Sequence, residues 1–226
     1  MRRRRLPISI IAVVLAALTA AGGFARVAAQ DATPPARPMT PAPAACTVAP
    51  HPIAFFEQFV GTPTAAQAAA QAAPIADATP AAAFRMPPGE PADQETVAAV
   101  TAIAIELTGC VNAGDFPRLF ALYTDDYFRR GIEDLGPLTA EDVAFFAAPP
   151  QAKPEQNRAA ILAVLDVRVL AEGRVAGLFD TYDPLEAPPG PARFYWEFVE
   201  QDGRWLIDEQ VTLGRIDPAQ VGTPTL

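Results

Sequence analysis

Asp180, Glu209, Tyr123 and Tyr127 are the residues of this chain best suited by type and spacing to move protons. A carboxylate placed among apolar side chains has its pKa raised, because desolvation disfavours the charged form. Beside a tyrosine hydroxyl it could serve as general base, with the phenol steadying a developing oxyanion. Asp202-Gly203 is a two-residue hairpin signal. With that turn, Trp205 opposes Glu200, Ile207 opposes Phe198, and Glu209 opposes Trp196. One face then carries Phe194, Trp196, Phe198, Trp205, Ile207 and Val211, with Glu209 among them. In a preceding hairpin, Leu165, Val167 and Val169 share a face with Ala176, Leu178 and Asp180, and Tyr182 has the same parity. Tyr123 and Tyr127, four apart in helical sequence, face this wall. The expected pocket is therefore Tyr123, Tyr127, Asp180, Tyr182, Phe194, Trp196, Phe198, Trp205 and Glu209. The plain alternative puts both acids at the sheet rim, solvated or paired with Arg129, Arg130 or Arg168.

Other chemistries find no support. Two cysteines and one histidine, far apart, do not make a zinc site. Asp125-Asp126 offers too few ligands for calcium. No Gly-rich phosphate loop, nucleophile elbow or kinase motif occurs, so no metal and no cofactor is expected. The lone histidine, His51, lies in an N-terminal arm and is expected to be an exposed linker residue.

The elements that must position these residues form an α+β domain over 93–215. Asp93 suits an N-cap. Val100, Ile103, Leu107 and Cys110 then recur at helical spacing. Gly114 ends that helix and Asp115 caps a second, with Pro117 in its first turn and Leu119, Leu122 and Tyr123 on one face. A short turn over 125–130 and a third helix opened by Thr139 follow. After Asn157 the period becomes two, predicting an antiparallel sheet of about four strands, with turns at Glu172-Gly173 and Asp202-Gly203. Residues 216–226 read as a flexible tail.

Four arginines followed by an apolar run to about Ala21 have the layout of a signal peptide, with small residues for cleavage after Ala29. The competing reading is an uncleaved anchor, for which the run is short. Five of the 17 basic residues and none of the 26 acidic ones lie in 1–29, so the remainder carries a net charge of −14. Such a surface repels phosphate backbones and anionic membranes, which excludes nucleic-acid binding and, after cleavage, membrane binding. The expected location is secreted or extracytoplasmic. The 25 prolines concentrate in residues 30–92, a Pro/Ala-rich linker expected to be disordered, except for an apolar arm at 46–61. Cys46 and Cys110 either form a disulfide, which would pin the arm to the domain, or stay two separate thiols.

Two stretches carry a family likeness. Cys110-Val111-Asn112-Ala113-Gly114-Asp115 with Leu122-Tyr123-Thr124-Asp125-Asp126-Tyr127 resembles the opening helices of NTF2-like, SnoaL-like domains. Gly203-Arg204-Trp205-Leu206-Ile207-Asp208-Glu209 resembles their last hairpin. The resemblance spans about 93–213. It implies a cone: a curved sheet wrapped around helices, enclosing a pocket. It also implies pairing through the sheet as a homodimer. Members include isomerases, cyclases, dehydratases and domains without activity, so function does not follow from fold. The expectation is a domain that binds an apolar small molecule or plays a non-catalytic interaction role. The alternative is a pocket enzyme using Asp180, Glu209 and Tyr123. In a third, structural reading, residues 53–59 plug the pocket.

Overall fold

In the computed structural model, which describes residues 38–62, 84–186 and 189–223, a helix forms directly after Asp93. These residues belong to the unit Pro35–Leu226. The expected signal peptide and residues 63–83 of the linker are outside the described residues.

Five helices are present among the described residues: α1 (Ile53–Glu57), α2 (Gln94–Ala113), α3 (Phe116–Phe120), α4 (Asp125–Leu135) and α5 (Ala140–Ala147). Their ends have local causes. Asp93 accepts from Thr96 N at 2.7 Å, and Gly114 leaves α2 at φ 66°, where a Cβ would be strained. Asp115 caps α3 and Thr124 caps α4. Thr139 and Asp142 form a reciprocal capping box on α5. By length and composition α2 could cross a membrane. Here it is a core helix, burying Val100, Ala104, Leu107 and Cys110.

The sheet is open, antiparallel and five-stranded, in the order β1 (Glu90–Pro91), β2 (Ala160–Val169), β3 (Val175–Tyr182), β4 (Pro191–Gln201) and β5 (Arg204–Arg215). The expected four strands are thus joined by a fifth. Glu90 and Pro91 pair with Val169 and Arg168 at the edge, where proline is tolerated. Asp202 and Gly203 both take positive φ (53° and 73°), closing the last hairpin as the two-residue turn requires. Asp166 also has positive φ (48°) and marks a bulge in β2, its carboxylate held by Arg168 at 2.8 Å. A second bulge in β5 lies at Asp208.

Three apolar clusters hold the fold. The main one packs α2 and the Leu122-Tyr123 segment on the inner sheet face, around Phe179, Trp196, Phe198 and Ile207. Trp196 is buried there, and Trp205 packs against the same cluster. The second joins the arm to the helices. Phe56 is fully buried among Phe128, Val143 and Phe146, and burying such a side chain contributes about 2–3 kcal/mol. The third covers the outer sheet face, where Phe84, Met86, Leu170 and Leu213 pack on Ala176, Leu178 and Tyr195.

Cys46 and Cys110 form a disulfide, tying the arm to α2. Gly109 makes this approach feasible, since a Cβ there would lie 2.9 Å from Ala45 Cβ and 3.1 Å from Cys46 N.

Candidate functional site

A cavity of about 190 Å³ lies where α2 and α3 meet the inner sheet face. Its wall combines Leu107, Thr108, Val111 and Leu119 with Thr181, Phe194, Trp196 and Gln210, and Tyr123, Tyr182, Asp183 and Glu186 also line it. Each side is placed by a local cause. Ala159 N donates to Asn112 Oδ1 at 2.8 Å, and Asn112 Nδ2 donates to Ala159 O at 3.0 Å and Pro41 O at 2.9 Å. This buried amide therefore fixes the start of β2 and the segment at Pro41 against α2. Tyr123 is held because the chain around it runs along β5: Thr124 N donates to Ile207 O, and Ile207 N to Leu122 O, both at 2.9 Å. Trp196 stacks on Phe179 with centroids 4.3 Å apart.

Of the expected pocket residues, Tyr123, Tyr182, Phe194 and Trp196 line this cavity. Tyr127, Asp180, Phe198, Trp205 and Glu209 do not. Tyr127 stacks on Tyr123 from behind its ring, at 5.0 Å. Phe198 is core, fully buried beside Phe179.

Glu209 is a correction with a definite cause. The bulge at Asp208 shifts the pairing, so Glu209 opposes Glu197 rather than Trp196. The side chains from Glu209 to Thr212 change face, until a further register shift at Leu213 resets the pairing. Gln210 takes the position opposite Trp196, and Val211 moves opposite Tyr195. Glu209 is instead partly solvated, 3.7 Å from Arg130. Two like charges across a strand pair repel; Arg174, 2.6 Å from Glu197, offsets this.

Asp180 is the second correction. It lies on the outer face, fully buried, pairing across the strands with Arg193. Arg193 Nε and Nη2 donate to its two oxygens at 2.7 and 3.0 Å, and Gly222 N donates at 2.9 Å. Its neighbour Phe179 faces the main core. The β2 bulge at Asp166 also breaks the expected shared face. Leu165 packs in the outer cluster, whereas Val167 is in the main core.

Several of the cavity's polar groups are engaged. Tyr123 Oη donates to Gln210 Oε1 at 2.7 Å, and burial pushes its pKa well above that of a free phenol. Thr108 Oγ1 donates to Ala104 O at 2.9 Å. Asp183 accepts from Lys153 at 2.7 Å, and Glu186 lies 3.2 Å from Arg215. One donor stands apart: Trp196 Nε1 is buried and has no hydrogen-bond partner among the described residues. No cluster of candidate metal ligands occurs among the described residues.

A wider groove of about 780 Å³ runs between the arm, the α2–α3 corner and the end of α5, with Pro50, Phe116, Phe145 and Pro149 on its walls. His51 lines it, only partly exposed, stacked on Phe55 at 4.0 Å and 3.8 Å from Asp125. It is therefore a packed residue rather than the exposed one expected. Burial lowers its pKa below the ordinary 6.5, more than Asp125 and a backbone bond to Phe120 raise it. A histidine easier to protonate when unfolded stabilises the fold above its ordinary pKa, and that stability is lost on acidification. Between pH 7.5 and 5, the melting temperature should fall further in the wild type than in His51→Gln. Parallel profiles from differential scanning calorimetry would refute this. Compared with known proteins, the chain matches no family model, no curated sequence and no solved structure.

Proposed function

We propose that residues 93–215 are an NTF2-like domain that binds a small, largely apolar molecule without transforming it. The carrying observation is the cavity of about 190 Å³ between α2, α3 and the sheet, walled by Tyr123, Phe194 and Trp196. Apolar concavities with a few polar groups are the usual form of a ligand site. Helices packed against one face of an antiparallel sheet, with bulges in β2 and β5, agree with a cone, because bulges bend and twist strands. Asp180 and Glu209 lie outside the cavity, and this weighs against the enzyme reading built on them. A disulfide agrees with an oxidising, extracytoplasmic destination.

Fragment screening by amide chemical shifts of the isotopically labelled protein tests the reading. Ring-sized apolar fragments should move the signals of Thr108, Thr181, Trp196 and Gln210. Shifts confined to the groove around Phe145, or none at all, would overturn it.

A further inference from the structure

The geometry points to a second binding site, independent of the cavity: the groove beside Phe145 docks a proline-rich segment of another polypeptide in polyproline-II form. The groove measures about 780 Å³ and runs between the arm, the α2–α3 corner and the end of α5. Its aromatic wall is open. Phe145 is 58% exposed, with its ring centroid 5.0 Å from that of Phe116. Phe146 lies 5.9 Å from Phe116 and is anchored on the buried Phe56, 5.0 Å away. Apolar surface gathered in one concavity, rather than scattered singly, marks an interaction site. Polyproline-II segments dock in aromatic-lined grooves.

Charge and backbone chemistry narrow the occupant. The ionisable side chains of the wall are compensated locally. Arg118 Nε lies 3.1 Å from Asp115, Lys153 Nζ 2.7 Å from Asp183, and His51 Nε2 3.8 Å from Asp125. A charged ligand would find no free countercharge, so a neutral one fits. Addition of a β-strand is disfavoured, because a ladder needs backbone N–H groups from the receiving chain. Pro50, Pro52, Pro117, Pro149 and Pro150 on the wall have none. A proline-rich ligand brings carbonyls with few N–H groups of its own, and therefore asks chiefly for donors. The wall has them. Arg118 Nη1 donates to Val48 O at 3.0 Å, which leaves Nη2 without a partner among the described residues. The unpaired nitrogens sealed from solvent are Arg158 Nε, Arg174 Nε and Trp196 Nε1, so Arg118 Nη2 is reachable. Gln151, exposed on the same wall, adds its side-chain amide. An alkyl chain would leave these donors unused.

Three probes test the site by amide chemical shifts of the isotopically labelled protein: capped hexaproline, a capped glycine–serine hexapeptide, and 1-decanol. Hexaproline should move the signals of Gly114, Phe145, Ala147 and Gln151. It should bind about tenfold more tightly than the glycine–serine peptide, because its backbone is already ordered in the bound form. Phe145→Ala, a change at an exposed ring, should weaken hexaproline about tenfold. Gln151→Ala should weaken it about threefold. Equal affinity for the two peptides would overturn the recognition of proline. Decanol moving these signals while hexaproline leaves them still would overturn the peptide class in favour of a lipid-like occupant. Binding of hexaproline unaffected by Phe145→Ala, or shifts confined to Thr108, Thr181, Trp196 and Gln210, would overturn the location. Each of these failures leaves the cavity reading standing, because ring-sized fragments test that one on its own signals.

Discussion

Replacing Cys46 and Cys110 with serine should lower the unfolding free energy by about 4 kcal/mol. The bridge closes a loop of 64 residues in sequence separation. Loop-closure entropy assigns about 4 kcal/mol to a constraint of that length. For a domain of this size, that amounts to a fall of roughly 10 °C in melting temperature. The folded side of the equilibrium adds a local effect. The bridge holds residues 42–48 on α2, where Thr47 N, Thr47 Oγ1 and Val48 N all donate to Glu106. Without the bridge, these amides should exchange hydrogen faster than those of α2 itself. Urea titration of wild type and double variant, with and without reductant, measures the main effect. A loss below about 1 kcal/mol would show that non-covalent packing alone holds the arm.

Asp180→Asn should destabilise the protein by about 3–5 kcal/mol, although Asp180 does not line the cavity. The substitution leaves Arg193, itself 3% exposed, without its carboxylate in the outer sheet face. Removing one partner of a buried pair is costly because the other charge stays desolvated. Replacing both together, Asp180→Leu with Arg193→Met, should recover much of the loss, because apolar side chains of similar volume tolerate that site. Recovery should be incomplete. Gly222 N and Gln220 O, now served by the pair, would lose their partners. Thermal unfolding of the two single variants and the double variant gives the coupling. Affinity for a cavity ligand should be unchanged in folded Asp180→Asn, which separates this prediction from the enzyme reading. A cost near zero would mean that water reaches the pair.

Much of the helical half was legible because its determinants are local. Asp93, Gly114, Asp115 and Thr139 each act on backbone groups within a few residues, and the sequence places them unambiguously. The Asp202-Gly203 turn was legible for the same reason. The helix after Thr124 runs to Leu135, beyond the expected end at Arg130. The site was less legible because sheet faces depend on counting, and one bulge inverts the count. Asp208 alone moved Glu209 off the aromatic wall and brought Gln210 onto it. A clue did exist. Aspartate is depleted from strand interiors, and both Asp166 and Asp208 sit inside predicted strands. Each is a bulge residue with partners for its carboxylate: Arg168 for Asp166, and Thr124 and Arg174 for Asp208. Local pattern could not reveal β1 or the packing of residues 84–86. Their partners lie some 80 to 110 residues away, in a segment whose composition reads as linker.

The position of the bridge also sets where unravelling from the front of the domain must stop. A pull on residue 38 first meets the Met39–Ile161 pairing and then the short turn at Pro43–Ala45, both held by non-covalent contacts. The next residue is Cys46, bonded to Cys110 near the far end of α2. From there the load passes to the longest helix among the described residues, bypassing the arm's phenylalanine cluster and residues 84–91. Exopeptidase trimming upstream of residue 46 therefore leaves the bridge in place, whereas traction there is carried into α2, the helix that supplies Leu107, Thr108 and Val111 to the cavity wall.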